Sequence, residues 1–287
     1  IRNLLLRWIF CVCQRLNNNM MARFIKAYKR INRAPWGLVW LLLMPLIGSS
    51  YLVKADEFQP SMVIIIDDLG YNLANGLSVV NLPGPITMAV MPHTPHGASL
   101  ARKGAAVDKQ IILHVPMQNH AGLRLGPGGL TLDMDEKEFK KVLRKGLASV
   151  PQAEGINNHM GSALTEQMLP MQWTMDIAAE FDLFFVDSRT SSSSVAWQQA
   201  VAQAIPALTR DVFLDNDTSQ EALESQFQQA IDIAQKHGSV VLIGHPYPAT
   251  VEFLSSALER LDQTGIKLTS ASALIWQLNL KAHLNTL

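Results

Sequence analysis

Past Cys13 the chain contains no cysteine. Disulfides and thiolate chemistry are therefore excluded from everything downstream, and any metal held there must take nitrogen and oxygen ligands. Acidic residues are missing from the first 55 positions: all 24 lie at Asp56 or later, whereas nine of the 24 basic residues fall within the first 54. The formal net charge of zero thus conceals a leader of +9 and a body near −9. An acidic body argues against a nucleic-acid partner, which would require clustered Lys and Arg. No apolar run reaches the roughly 20 residues needed to cross a bilayer core. No linker, repeat or low-complexity segment divides residues 56–287, so a single domain is expected. With 48% hydrophobic and 17% charged residues, that domain has the apolar material for a core that needs no covalent staples.

The leader has a recognisable order. Arg23, Lys26, Lys29, Arg30 and Arg33 form a positive region, Pro35 to Ile47 an apolar run, and Val53-Lys54-Ala55 a small-residue cleavage pattern ahead of Asp56. Residues 1–55 are expected to be a leader carrying a secretory signal peptide, with an uncleaved membrane anchor as the alternative. The body, residues 56–287, is then periplasmic or otherwise exported. Met20 and Met21 stand directly before the basic stretch, and translation is expected to start there, with residues 1–19 preceding it.

After Asp56, short apolar runs alternate with helical patterns. Strands are expected at Met62 to Asp67, Ile86 to Met91, Gln110 to Val115, Gly155 to Asn158, Leu183 to Asp187, Val212 to Leu214, Ser239 to Gly244 and Ile266 to Thr269. The clearest helix runs from Thr218 to His237, with a Thr218-to-Glu221 capping box and Gly238 as its stop. Glu136 to Val150 is another, and Val251, Leu254, Leu258 and Leu261 mark a third that ends at Gly265. Strand and helix alternation over more than 200 residues means an α/β fold with a parallel sheet, either doubly wound or closed into a barrel.

The polar residues of interest fall at the C-terminal ends of these strands, the edge where such folds place ligands. Asp67 and Asp68 end the first, His114 the third, Asn157, Asn158 and His159 the fourth, Asp187 the fifth, Asp215 and Asn216 the sixth, and His245 the seventh. Ionised carboxylates are costly to bury unless paired, hydrogen-bonded or metal-bound. One carboxylate and two neutral imidazoles make a mononuclear divalent-metal site with open positions. A second carboxylate to take a proton from water and a third imidazole to protonate a leaving group complete a hydrolytic set. The polar stretch Gln118 to Asp133, with four glycines, is longer than ordinary loops and reads as a lid or substrate wall.

Six segments resemble the divergent polysaccharide deacetylases, the YibQ-like branch of the NodB-type superfamily. They are Ile65 to Tyr71, Leu113 to Met117, Gly155 to Ser162, Phe185 to Ser188, Val212 to Asp215 and Ile243 to Pro246, in the family's order across nearly all of residues 60–275. The run Gly-Ile-Asn-Asn-His-Met-Gly-Ser at 155–162 is the most specific of them. The resemblance implies a distorted (β/α) barrel of about seven strands that removes N- or O-acetyl groups from carbohydrate with a divalent metal, usually zinc. It implies Asp67 as base, Asp68 and His114 as metal ligands and His245 as acid, with Asp187 as the carboxylate that orients His245 or a ligand. The superfamily's second metal-binding histidine, four residues after the first, is here Gln118, a poor zinc ligand. His159 is expected to replace it if its strand neighbours that of His114. Asn158, His93 and His96 are expected on the substrate groove, and the partner is a glycan or peptidoglycan-type polymer. A catalytically degenerate glycan-binding or envelope-assembly protein on the same barrel is the alternative that Gln118 favours. A metal-dependent hydrolase of an amide or phosphoester is a further one, because a barrel does not dictate its chemistry.

Overall fold

The computed structural model describes residues 59–284, and the leader lies outside them. Nine strands form one parallel sheet: β1 Ser61–Leu69, β2 Thr87–Val90, β3 Gln110–Met117, β4 Gly155–Met160, β5 Phe184–Asp187, β6 Ala207–Thr209, β7 Val212–Phe213, β8 Ser239–Gly244 and β9 Lys267–Thr269. Eight α-helices accompany them: α1 Leu73–Val80, α2 Gly97–Ala105, α3 Glu136–Ser149, α4 Met168–Glu180, α5 Ala196–Ala202, α6 Gln220–His237, α7 Pro248–Leu261 and α8 Ala271–Leu284. The order is β6-β5-β4-β3-β2-β1-β8-β7, with β9 also paired to β1.

That order places β6 and β7 at opposite edges, yet only Arg210 and Asp211 separate them along the chain. The three Cα steps from Thr209 to Val212 span about 11 Å at most. The edges must therefore meet. Arg210 N still donates to Asp187 O of β5 at 2.9 Å, while Asp211 N already donates to Val241 O of β8 at 2.9 Å. The sheet is curled into a distorted barrel whose seam is crossed by one extended segment, with no β6–β7 ladder among the described residues.

Curling gives every strand two buried faces, so the strands read as continuous apolar runs. Val63, Ile65, Ala89, Ile112, Phe184, Val186, Leu208, Val241 and Ile243 fill the interior. Met62, Ile64 and Ile66 point the other way, beneath the helices. Ala271, Leu274 and Ile275 of α8 pack into the inner cluster. Ser272 of the same helix holds Gln110, the first residue of β3, by Gln110 Nε2 to Ser272 Oγ at 2.6 Å and Ser272 N to Gln110 Oε1 at 3.1 Å. The helix thereby closes the N-terminal end of the barrel and leaves the C-terminal end for ligands.

Every expected strand is present to within two residues at each end, and β6 is additional. Its three residues carry no period that distinguishes them from loop. The start of α6 differs from expectation: Ser219, not Thr218, is the N-cap, its side chain accepting from Ala222 N at 3.4 Å. The stop at Gly238, in the left-handed conformation at φ 86°, is as expected.

Candidate active site

Side-chain alternation along each strand delivers the site. Inward Val63 and Ile65 on β1 are followed by Asp67, Ile112 on β3 by His114, and Val241 and Ile243 on β8 by His245. On β4, Ile156 belongs to the outer core, so Asn157 and His159 face inward. By the same period Asp68 would face out. The β1–β2 register instead shifts between Ile66 and Leu69, and Asp68 takes φ 57°, which turns its carboxyl to the same side as Asp67. A left-handed non-glycine residue costs about 1–3 kcal/mol, and such strain persists only where surrounding structure enforces it. Gly70 follows at φ 131°, where a Cβ would collide with Thr94 Oγ1. Met91 N to Leu69 O at 2.8 Å and His96 N to Gly70 O at 2.9 Å fasten this strand end.

Three residues converge. Asp68 Oδ1 lies 2.8 Å from His159 Nδ1 and 3.2 Å from His114 Nε2. The donor atoms of Asp68, His114 and His159 all fall within 4.8 Å of one another. Asp68 Oδ1 is nevertheless buried and makes no well-formed hydrogen bond. A buried carboxylate oxygen faced by two imidazole nitrogens is a donor set that suits a divalent cation.

Asn157, 0% exposed, sets the state of this cluster. Its Nδ2 donates to Asp67 Oδ1 at 2.8 Å, and its Oδ1 meets His114 Nδ1 at 2.8 Å. An ionised carboxylate only accepts, so the amide must turn its NH2 to Asp67 and its oxygen to His114. His114 Nδ1 therefore carries a proton, and Nε2 is the ring atom turned toward Asp68. Asp67 Oδ2 lies 3.6 Å from that same Nε2.

The charges are shifted accordingly. Burial pushes the Asp67 carboxyl up, and the pull of His114, His245 and the Asn157 amide does not cancel it. Burial also acts upward on Asp68, but the His114 and His159 rings in contact outweigh it and hold Asp68 well below the usual carboxylate range. Burial lowers His114, and the Asp67 and Asp68 charges more than restore it. His245 is likewise lowered by burial and then raised, to about 9, chiefly by Asp215 and further by Asp67 and Asp68.

Sequence reasoning assigned the wrong carboxylate to His245. Asp215 holds it, with His245 Nδ1 to Asp215 Oδ1 at 2.8 Å and His245 N to Asp215 Oδ2 at 2.6 Å. Thr250 Oγ1 donates to the same Oδ2 at 2.8 Å. Asp187, which follows Phe185 on the outer face of β5, orients neither His245 nor a ligand. It accepts from Arg189 N and Ser194 Oγ, each at 2.8 Å, and so secures the loop after β5. Asn158 is also on the outer face, and its amide is engaged by Met160 O at 2.7 Å and Ser188 N at 2.9 Å rather than open to substrate. His93 is exposed, against Gly128 and Ser149, and His96 precedes α2 at the strand-end turn. Neither lines the cavity beside the triad. Gln118 is committed to the following loop: its Oε1 accepts from Leu132 N at 2.7 Å and its N donates to Leu130 O at 2.9 Å. His159 brings a second imidazole to Asp68 from the strand next to β3, where it pairs with Pro116.

A cavity of about 360 Å³ opens onto the triad, lined by Asp68, Tyr71, Met91, Arg124, Leu125, Gly126 and His159. The glycine-containing loop 118–133 is thus its wall, and Gly126 passes so close to Tyr71 that a Cβ would come within 2.8 Å of its hydroxyl. On the other side Tyr247, 45% exposed, packs on the His245 ring with centroids 5.5 Å apart.

Comparison with known proteins agrees with this arrangement. The family model described as divergent polysaccharide deacetylase matches residues 64–275. The uncharacterized protein YibQ of Escherichia coli (strain K12) is 35% identical over 214 residues, which cover 75% of this chain and 67% of that protein. An uncharacterized protein of Haemophilus influenzae (strain ATCC 51907 / DSM 11121 / KW20 / Rd) is 35% identical over 219 residues, covering 76% and 78%. Among solved structures, the uncharacterized protein ATU2773 from Agrobacterium tumefaciens C58 shares the fold at a TM-score of 0.73 and 19% identity, over 75% of this chain and 89% of that one. A match running from the first strand to the last helix takes in every residue of the triad, and on it this chain belongs to the divergent polysaccharide deacetylase family.

Proposed function

We propose that the protein is an exported, metal-dependent hydrolase that removes acetyl groups from an envelope glycan or amino-sugar polymer. The observation that carries this reading is the convergence of Asp68, His114 and His159 on a buried oxygen that has no well-formed hydrogen bond, with a second carboxylate, Asp67, beside them. Two imidazoles and one carboxylate suit zinc and leave positions open. Bound there, the metal would polarise the acetyl carbonyl and acidify water.

The protein's own groups divide the proton work. Asp67 takes a proton from the attacking water on Oδ2, since Oδ1 is held by Asn157. Its burial raises its affinity for that proton above that of an ordinary carboxylate. His245, kept protonated by Asp215 through Nδ1, gives the Nε2 proton to the departing sugar nitrogen or oxygen. The acyl C–N or C–O bond breaks, acetate leaves with the water oxygen, and the sugar leaves with the proton. His159, by supplying the imidazole that Gln118 lacks, supports turnover over a degenerate glycan binder.

Metal analysis of the purified protein and acetate release from acetylated glycans, with and without chelator, test the reading. Asp68→Ala and His114→Ala are expected to lose metal and acetate release together. Full zinc content in both variants rejects the site. Glycan affinity without acetate release across a broad panel replaces the enzyme with the binder.

A further inference from the structure

Arg124 lines the same cavity as Asp68, His159 and Tyr71, yet its guanidinium meets no carboxylate and no hydrogen-bond acceptor among the described residues. Three other arginines are engaged, while Arg102 of α2, which like Arg124 has no such partner, does not line this cavity. Arg144 pairs with Glu180 at 2.6 Å and Arg260 with Glu224 at 3.2 Å. Arg210, at the seam of the barrel, donates to the backbone carbonyls of Ser188 and Arg189 and lies 3.8 Å over the Phe213 ring. Glycine-containing turns at Gly122 and Gly126, with φ 67° and 81°, bracket Arg124, and the second abuts Tyr71. The loop therefore places the exposed, unpaired guanidinium of Arg124 on the wall of the cavity.

The charge balance of the site gives that cation a purpose. A divalent metal would neutralise Asp67 and Asp68, and His245 is matched by buried Asp215. Arg124 is then the surplus charge on the wall. Guanidinium forms paired, directional hydrogen bonds with planar or tetrahedral oxyanions, and neutral sugar hydroxyls gain much less from it. We infer that Arg124 forms an anion subsite, so that the substrate is an acetylated amino sugar bearing a carboxylate or phosphate close to the acetyl group. This rests on the deacetylase reading above and narrows its substrate class.

The test is equilibrium binding of three probes to the metal-loaded protein: a neutral N-acetylglucosamine disaccharide, an N-acetylmuramic acid disaccharide with a free carboxylate, and N-acetylglucosamine 6-phosphate. The wild type is expected to bind one or both anionic probes about tenfold or more tightly than the neutral one, the factor a charge-assisted hydrogen bond carries. Whichever anionic probe shows the gain identifies carboxylate or phosphate as the anion. Arg124→Gln is expected to erase that preference, and Arg124→Lys to retain part of it through charge without the paired geometry. Equal affinity for all three probes, or a preference that survives in Arg124→Gln, overturns the subsite and leaves the deacetylase reading standing. Binding of none of them, without acetate release from any acetylated glycan, removes both.

Discussion

Asn157, marked in the sequence only as one polar residue at a strand end, ties two groups of the candidate site together. It fixes the His114 tautomer and one Asp67 oxygen at once, both at 2.8 Å. Partners that orient a metal-binding imidazole typically contribute 10- to 100-fold to metal affinity. Asn157→Leu is accordingly expected to weaken zinc binding by about that factor in calorimetric titration, with the fold retained. Unchanged affinity would reduce Asn157 to a space-filling core residue. His245 supplies a second test, in the metal-free protein. Its pKa stands at about 9, above the ordinary value near 6.5, so its pairing with Asp215 stabilises the fold in full below about pH 6.5 and fades as pH rises through about 9. Urea unfolding of wild type and Asp215→Asn should differ most at the acid end of that window and least above it. A gap that does not vary with pH would exclude the ion pair as its cause. Asn157 and Asp215, named at the strand ends but given no role, differ in one respect from Asn158 and Asp187, which were given roles they do not fill. Asn157 and Asp215 continue the inward face of a strand or strand end, whereas Asn158 and Asp187 lie on the outer face of β4 and β5. The period of two that would have separated them is hidden in the sequence, because both faces of these strands are apolar.

The strand ends show which local features a sequence reveals and which it conceals. The β1 run and its Asp67-Asp68-Leu69-Gly70 ending marked the site at once, yet nothing in it announced that Asp68 would leave the strand period. That turn depends on the β1–β2 register shift and on Gly70, whose backbone no larger residue can adopt against Thr94. Gly70→Ala is therefore expected to cost about 2 kcal/mol or more of stability in denaturant titration and to lower metal affinity by displacing Asp68. Stability loss with metal affinity intact would separate the turn from the site. Capping of α6 is a smaller matter of the same kind. The Thr218-to-Glu221 spacing fitted a capping box, but Ser219 sits one residue closer to the helix and takes the amide of Ala222. Ser219→Ala is expected to destabilise the domain by about 0.5–1 kcal/mol, and Thr218→Ala by less than about 0.5 kcal/mol. Equal effects at the two positions would restore the earlier boundary.

The barrel divides its labour between two ends, and the consequence is a protein whose stability should report on its ligand. The α8 helix and Gln110 close the N-terminal end with apolar packing and hydrogen bonds that need no metal. The C-terminal end instead gathers two carboxylates, and in the metal-free state Asp67 bears the cost of burial while Asp68 leaves an oxygen without a well-formed hydrogen bond. Alternation of strand and helix was enough to foretell the parallel sheet, because β–α–β crossovers permit little else. Alternation alone left a doubly wound sheet and a closed barrel both open, because closure rests on a two-residue crossing between β6 and β7 that has no apolar signature, and it was the family resemblance that implied the barrel. A cation that binds the folded barrel and not the unfolded chain raises stability by about 2.7 kcal/mol at a free concentration one hundred times Kd. For a domain of this size, that shifts the unfolding midpoint by about 5–10 °C. Thermal scans of zinc-loaded and chelator-stripped protein are expected to differ by that interval. Asp68→Ala should show no difference between the two conditions, and Arg124→Gln should keep the whole of it, since Arg124 faces the substrate and not the metal. A shift that survives in Asp68→Ala would mean that the cation stabilises the barrel from elsewhere, and the triad would lose its claim to it.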